Sequence, residues 1–291
     1  MGRNPRIVRA LHNMMVMFAA IAILVAMTTL GACGSAGVDG SGSASASTGA
    51  SASGGGAASD ASGSSPSSSS SASPTSSHRD WGRSGCSGQD VRVVMARGTN
   101  ENANDGLLNP VAKQIAAAFA GRVQVTSLDY PATFDVDSVD AGVGRLVAML
   151  NGQAQQCPRQ RTVLLGFSQG AVVVGDAMSA PKRRLDVSGN QDVLTGAAGR
   201  NIVAAVMYGD PRFNGKAAYN RGTFDKATNG SLSPRDPDAL KAYESRIVDF
   251  CAGDDLVCQT SGEQEGHRSY FSDGSQGEGA DFAIAKLKAA L

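Results

Sequence analysis

Thr162-Val163-Leu164-Leu165-Gly166-Phe167-Ser168-Gln169-Gly170-Ala171 reads as the end of a strand, a tight turn and the start of a helix. The apolar run at Thr162–Leu165 suits a buried strand, and Ala171 to Met178 has the small and aliphatic residues of a packed helix. A G-x-S-x-G pattern arises by chance in a chain with 36 glycines, so its meaning comes from what flanks it. Between a strand and a helix, the serine is forced onto a strained turn where side chains at positions 166 and 170 would collide. The backbone N–H of Gln169 then opens the helix and faces any negative charge developing at the serine. The competing reading is an ordinary serine in a tight turn.

Outward from this turn, strands and helices alternate. Val91 to Ala96, Val123 to Leu128, Ile202 to Met207 and Arg246 to Phe250 read as further strands. Leu107 to Phe119, Val139 to Leu150 and Ala280 to Leu291 carry apolar residues at helical spacing. Such alternation predicts an α/β fold: a parallel sheet with helices on both faces. Pro181 to Asn201 is a polar, charged stretch read as a surface loop, with a flap over the cleft as the alternative. Thr223 to Asp238, with Asn229-Gly230, Pro234 and Pro237, also reads as loop.

If Ser168 is a nucleophile activated by imidazole, its base is found by elimination. The chain has three histidines, and His12 and His78 fall in an N-terminal apolar segment and at the end of a Ser/Gly/Ala tract. His267 remains. Asp254 and Asp255 lie after the strand ending at Phe250 and before His267, giving the order Ser, Asp, His. Asp255 would hold the tautomer in which Nε2 takes the serine proton. Asp210, in Tyr208-Gly209-Asp210-Pro211, is a rival, though it reads more readily as a turn residue before proline. A second oxyanion donor is expected from Thr99, in the turn Ala96-Arg97-Gly98-Thr99-Asn100-Glu101, because ligand sites gather at the carboxyl ends of parallel strands.

The first third of the chain is not fold. Arg3, Arg6 and Arg9 precede an apolar run from Met14 to Leu30 that ends in Leu30-Gly31-Ala32-Cys33, which reads as an export signal over residues 1–32. The ending resembles a bacterial lipoprotein box with Cys33 lipidated; an ordinary secreted product and a permanent membrane anchor are the alternatives. Residues 33–80 are dominated by Ser, Gly and Ala, too poor in apolar side chains to offset chain entropy, and read as a tether of roughly 35–40 Å reach. Residues 81–291 are enough for one domain.

Formal net charge is zero, and removal of the three signal arginines leaves the mature chain acidic by three. Nothing forms an electrostatic footprint for nucleic acid. Apart from Cys33 there are four cysteines, an even count that suits export and allows three pairings; the spacing favours Cys86–Cys157 and Cys251–Cys258. One usable histidine and no Cys-x-x-Cys pair make a poor metal-ligand set, so neither metal nor cofactor is expected.

Taken together, the Ala-Arg-Gly-Thr-Asn-Glu turn, the Gly-Phe-Ser-Gln-Gly turn, the Cys-x(3)-Asp-x(2)-Cys loop and a histidine twelve residues past its aspartate resemble the cutinases, from about Gly85 to the C-terminus. Cys157, eleven residues before Ser168, also falls where that family places a disulfide cysteine. The resemblance implies a lidless, three-layer α/β hydrolase with a mainly parallel five-stranded sheet. It selects Asp255 over Asp254 and implies a triad of Ser168, Asp255 and His267, with Thr99 and Gln169 as oxyanion hole. By analogy, Asn100, Tyr130, Phe167, Leu256 and Val257 would line the cleft.

The expected function is therefore an exported serine esterase acting on short- to medium-chain acyl esters, lipids or polyesters through an acyl-enzyme. It is expected as a monomer, lipid-anchored outside the cell or fully secreted. An acyltransferase using the same acyl-enzyme, and a non-catalytic lipid- or glycan-binding protein, are the alternatives.

Overall fold

Alternating side chains of one strand build both faces of the core. In β1 (Val91–Ala96), Val91, Val93 and Met95 join one buried cluster while Val94 and Ala96 join the other. The computed structural model describes residues 89–135, 137–185 and 190–291; the expected export signal and tether, with Cys33 and Cys86, lie outside them. Within those residues β1 is followed by α1 (Leu108–Ala118), β2 (Val123–Ser127), α2 (Ser138–Gln156), β3 (Arg161–Phe167) and α3 (Gln169–Met178). A short α4 (Gly196–Asn201), β4 (Ile202–Tyr208), β5 (Asn220–Arg221), β6 (Ile247–Phe250) and α5 (Ser275–Ala290) complete the order.

The sheet runs β2-β1-β3-β4-β6-β5, and every pairing is parallel. The expected five strands are present, and a sixth is added at the edge. β5 has two residues, pairing Asn220 with Asp249 and Arg221 with Phe250, too short for any periodicity to announce it. One face of the sheet packs against α2 and α3 around Val94, Leu146, Leu164 and Val173, the other against α1 and α5 around Val93, Ile115, Leu165 and Ala283. Full burial of a side chain such as Leu164 is worth about 1.5–3 kcal/mol.

The loop reading of the polar insertion is refined by the structure. Its last six residues form α4, whose first turn is capped where the Thr195 hydroxyl accepts the Ala198 N–H at 3.2 Å. Described parts of the insertion lie along α2: Asn151 donates to Val193 O at 2.9 Å and accepts from the Thr195 N–H at 2.8 Å.

β1 is flanked by β2 and β3, so the chain order reverses there. The crevice beyond the carboxyl ends of β1 and β3 is the place where such sheets bind ligands.

Candidate active site

β3 ends in Phe167, and the next residue has φ 54° and ψ −120°, outside the conformations a serine ordinarily takes. Sterics impose this turn. A Cβ at position 170 would lie 1.8 Å from the Ala96 carbonyl oxygen, and one at position 166 would lie 2.7 Å from the Gly170 oxygen. The Ser168 N–H donates to Tyr208 O at 2.9 Å, tying the turn to the end of β4. Helix α3 starts at Gln169, two residues earlier than its apolar pattern suggests, so its unbonded first N–H groups lie beside the serine.

Asp255 is brought in by a stapled loop. Cys251 and Cys258 form a disulfide, as the spacing suggested, and Asp255 between them is fully buried. Its Oδ1 accepts the backbone N–H groups of Val257 at 2.7 Å and Cys258 at 3.3 Å. His267 Nδ1 sits 2.9 Å from Oδ1 and 3.0 Å from Oδ2. Tyr270 donates its hydroxyl to Oδ2 at 2.7 Å. Burial works to raise the Asp255 pKa, but hydrogen bonding and charge from His267, then Tyr270 and Val257, outweigh it, and the carboxyl is held below 3.8. Asp254, by contrast, is exposed and contributes its carbonyl to the Glu263 N–H at 2.7 Å.

Tyr270 was missed by sequence reading. It lies three residues after His267 within one 3-10 helix, Gly266–Phe271, where that spacing eclipses side chains. That spacing was the available signal.

Phe167 stacks on the imidazole, with centroids 4.9 Å apart, and so links the serine's own strand to the base. Gly209 backs the pair from the other side. Its φ is +57°, and a Cβ there would lie 2.8 Å from His267 Cε1 and 2.9 Å from Asp255 Oδ2. Ser168 and His267 do not themselves hydrogen-bond among the described residues; such contacts often tighten only around substrate.

The expected oxyanion loop is held from several directions. Glu101 accepts the Gly98 N–H at 2.8 Å and the Leu107 N–H at 3.1 Å. The Arg97 guanidinium donates to the carbonyls of Glu101, Leu128, Tyr130 and Pro131. Thr99 Oγ1 is buried and has no partner, a vacant donor and acceptor at the carboxyl end of β1. The Gln169 side chain is committed elsewhere, accepting from Ser138 Oγ at 3.0 Å and donating to Thr133 O at 2.7 Å. What Gln169 has left for chemistry is its backbone N–H.

Of the residues expected to line a cleft, Asn100 is exposed and Leu256 partly so. Tyr130 is 2 % exposed and its hydroxyl donates to Arg97 O at 2.5 Å, so it braces the loop from beneath instead of lining a surface. Phe167 and Val257 are also buried. Asp210 is neither acid partner nor simple turn residue. Its Oδ1 caps the Arg212 N–H at 2.8 Å, while its Oδ2 pairs with Arg235 at 3.1 Å. Arg235 also pairs with Asp176 of α3, to which Arg212 Nη1 donates at 2.6 Å. This cluster joins the helix after the serine to the turn behind His267. Cys157 is itself disulfide-bonded, while Cys86, its expected partner, lies outside the described residues.

A family model described as Cutinase matches residues 86–287. A protein named Cutinase from Kineococcus radiotolerans is 32% identical over 207 residues, covering 69% of this chain and 63% of that protein's length. Carboxylesterase Culp1 of Mycobacterium tuberculosis is 27% identical over 204 residues, covering 68% of this chain and 82% of its own. Among solved structures, the catalytic core domain of acetyl xylan esterase from Trichoderma reesei superposes with a TM-score of 0.60 at 26% identity, covering 70% of this chain and 100% of that one.

Proposed function

This chain belongs to the cutinase family of carboxylic-ester hydrolases, and from that premise we propose that it cleaves carboxylic esters through an acyl-enzyme on Ser168. Ser168 Oγ attacks the ester carbonyl carbon as His267 Nε2 takes the hydroxyl proton. The oxygen that gains charge is held by the backbone N–H of Gln169 and by Thr99, through its N–H and its unpaired hydroxyl. Collapse of this tetrahedral intermediate breaks the bond to the alcohol, which leaves with the proton from His267. Water then attacks the acyl-enzyme, giving its proton to His267, and the carboxylic acid departs as the proton returns to Ser168. Asp255 keeps Nδ1 protonated throughout, so that Nε2 is the nitrogen that takes and returns the proton.

The observation that carries this reading is the 2.9 Å contact between His267 Nδ1 and a fully buried Asp255, stacked through Phe167 onto the serine's turn. Substrates are short- to medium-chain acyl esters; the acetyl xylan esterase likeness adds acetylated glycan to lipid and polyester as candidates. The protein acts outside the cell, anchored through a lipid on Cys33.

The test is kcat/KM on p-nitrophenyl esters from acetate to palmitate. We expect activity to peak at short to medium chains, and Ser168→Ala to lower kcat by on the order of 10⁶. Turnover that persists in Ser168→Ala would sink the mechanism.

A further inference from the structure

Because all strands run parallel, their N-terminal ends lie at one end of the molecule and Ser168, at the carboxyl end of β3, lies at the other. Residues 89–90, 119–122, 157–161, 199–201 and 245–246 meet at the first end and are knitted by hydrogen bonds. The Val91 N–H donates to Arg122 O at 3.1 Å and the Arg161 N–H to Asp90 O at 2.8 Å. Gln160 Nε2 donates to Gln89 O at 3.0 Å, and Asn201 Nδ2 to Pro158 O at 3.2 Å. Arg246 Nη1 reaches Gly199 O at 3.1 Å and Ile202 O at 2.6 Å.

These interlocked segments contain Arg122, Arg159, Arg161, Arg200 and Arg246 against a single carboxylate, Asp90. Three loops at the opposite end have the opposite sign. Segments 97–107, 128–137 and 251–273, which follow β1, β2 and β6, contain ten carboxylates and two arginines. Helix C-termini favour nearby cations, and Arg246, bonded to carbonyls around the end of α4, fits that role. Arg159 and Arg200 do not need it: both are exposed, and neither pairs with a carboxylate among the described residues. The described chain also begins here, at Gln89, so the segment that carries Cys33 joins the domain at its basic end.

We propose that this arginine-rich end is a docking surface for an anionic phospholipid bilayer, which holds the active site facing away from the membrane. The inference deepens the anchored reading and rests on it for its location. An anionic surface attracts the basic end and repels the carboxylate-rich rim, so one field both binds and orients the domain. The attraction acts within about 8 Å at physiological salt, so it needs contact, which the anchoring of the chain at Cys33 would make frequent.

The experiment uses the chain from residue 33 onward carrying Cys33→Ser, which removes acylation from the measurement. Binding is read by co-sedimentation with vesicles of equal phosphatidylglycerol and phosphatidylcholine, and with phosphatidylcholine alone. The probe variant is Arg122→Gln/Arg159→Gln/Arg200→Gln. The charge-matched control is Lys113→Gln/Lys216→Gln/Lys226→Gln, three exposed lysines outside these segments. We expect binding to the anionic vesicles only, falling steeply with added salt. The arginine variant should lose on the order of a hundredfold in partitioning, and the lysine variant less than threefold. Both variants should keep the thermal midpoint of the parent. Equal binding to neutral vesicles, equal losses in the two variants, or binding to an anionic polysaccharide without vesicle binding would each overturn the proposal. Turnover of a soluble ester is measured in parallel: its absence in the parent counts against the esterase and leaves the docking result standing.

Discussion

At Asp255 four donors converge on one buried carboxylate: the imidazole of His267, the hydroxyl of Tyr270 and two backbone N–H groups. Tyr270 also accepts the Ala252 N–H at 3.1 Å, so its oxygen serves both the acid and the loop beneath it. Replacing it tests this arrangement. Tyr270→Phe should destabilise the fold by about 1.5–3 kcal/mol at pH 7, the range for a hydrogen bond to a charged group. The sign with pH follows from a folded pKa held below 3.8. Stabilisation from the ionised Asp255 is fully present above that value and is lost as pH falls through the folded pKa. The gap between wild type and Tyr270→Phe, read by urea unfolding, should therefore narrow below pH 3.8. A constant gap from pH 7 to pH 2.5 would mean that Tyr270 acts through packing alone. Asp249 behaves oppositely: burial first, then the nearby Asp210 charge, push its pKa well up.

Two connections between elements hold the site together, and only one was legible in the sequence. The Cys251–Cys258 staple follows from cysteine spacing, and Asp255 inside it from the loop pattern. Cys251→Ser/Cys258→Ser should cost about 2.5 kcal/mol from loop entropy and should lower kcat further because the acid loses its frame. Unfolding midpoints and kcat, compared with the disulfide-intact protein, check both. The other connection, Arg235 with Asp176 and Asp210, was hidden because Thr223 to Asp238 has no periodicity and reads as loop. Only the folded chain buries Arg235 to 1 % exposure against the backbone of α3 at Gly175. Arg235→Ala would take from the buried Asp210 its guanidinium partner and leave Asp176 paired with Arg212 alone, and should cost about 3–5 kcal/mol. Denaturant unfolding measures this, and a loss below 1 kcal/mol would show that water enters and replaces the guanidinium. Helix and strand positions were readable because apolar periodicity is local. β5 and the first turn of α3 were not, being fixed by a neighbouring strand and by the serine's turn.

On the scale of the whole molecule, sequence order hides what parallel topology assembles. Five arginines scattered from Arg122 to Arg246 become one face, and carboxylates from three separate loops become the rim around Ser168. The candidate base could be named by elimination because the described fold has one histidine; no such scarcity marks a charge gradient. That gradient bears on running the reaction backwards. An enzyme leaves the equilibrium between ester and acid unchanged, but it sets how readily each species enters. A free fatty acid arrives as an anion and meets the rim's repulsion, whereas a neutral ester donor does not. Ester synthesis from free acid should thus lag ester exchange between neutral partners, and the disparity should shrink as salt rises or as pH falls toward the acid's own pKa. Comparing the two initial rates in a buffered water–alcohol mixture gives the answer: equal rates at low salt would show that the rim is electrostatically silent. For anyone using this protein to build esters, the choice of acyl donor follows from the arrangement of its loops.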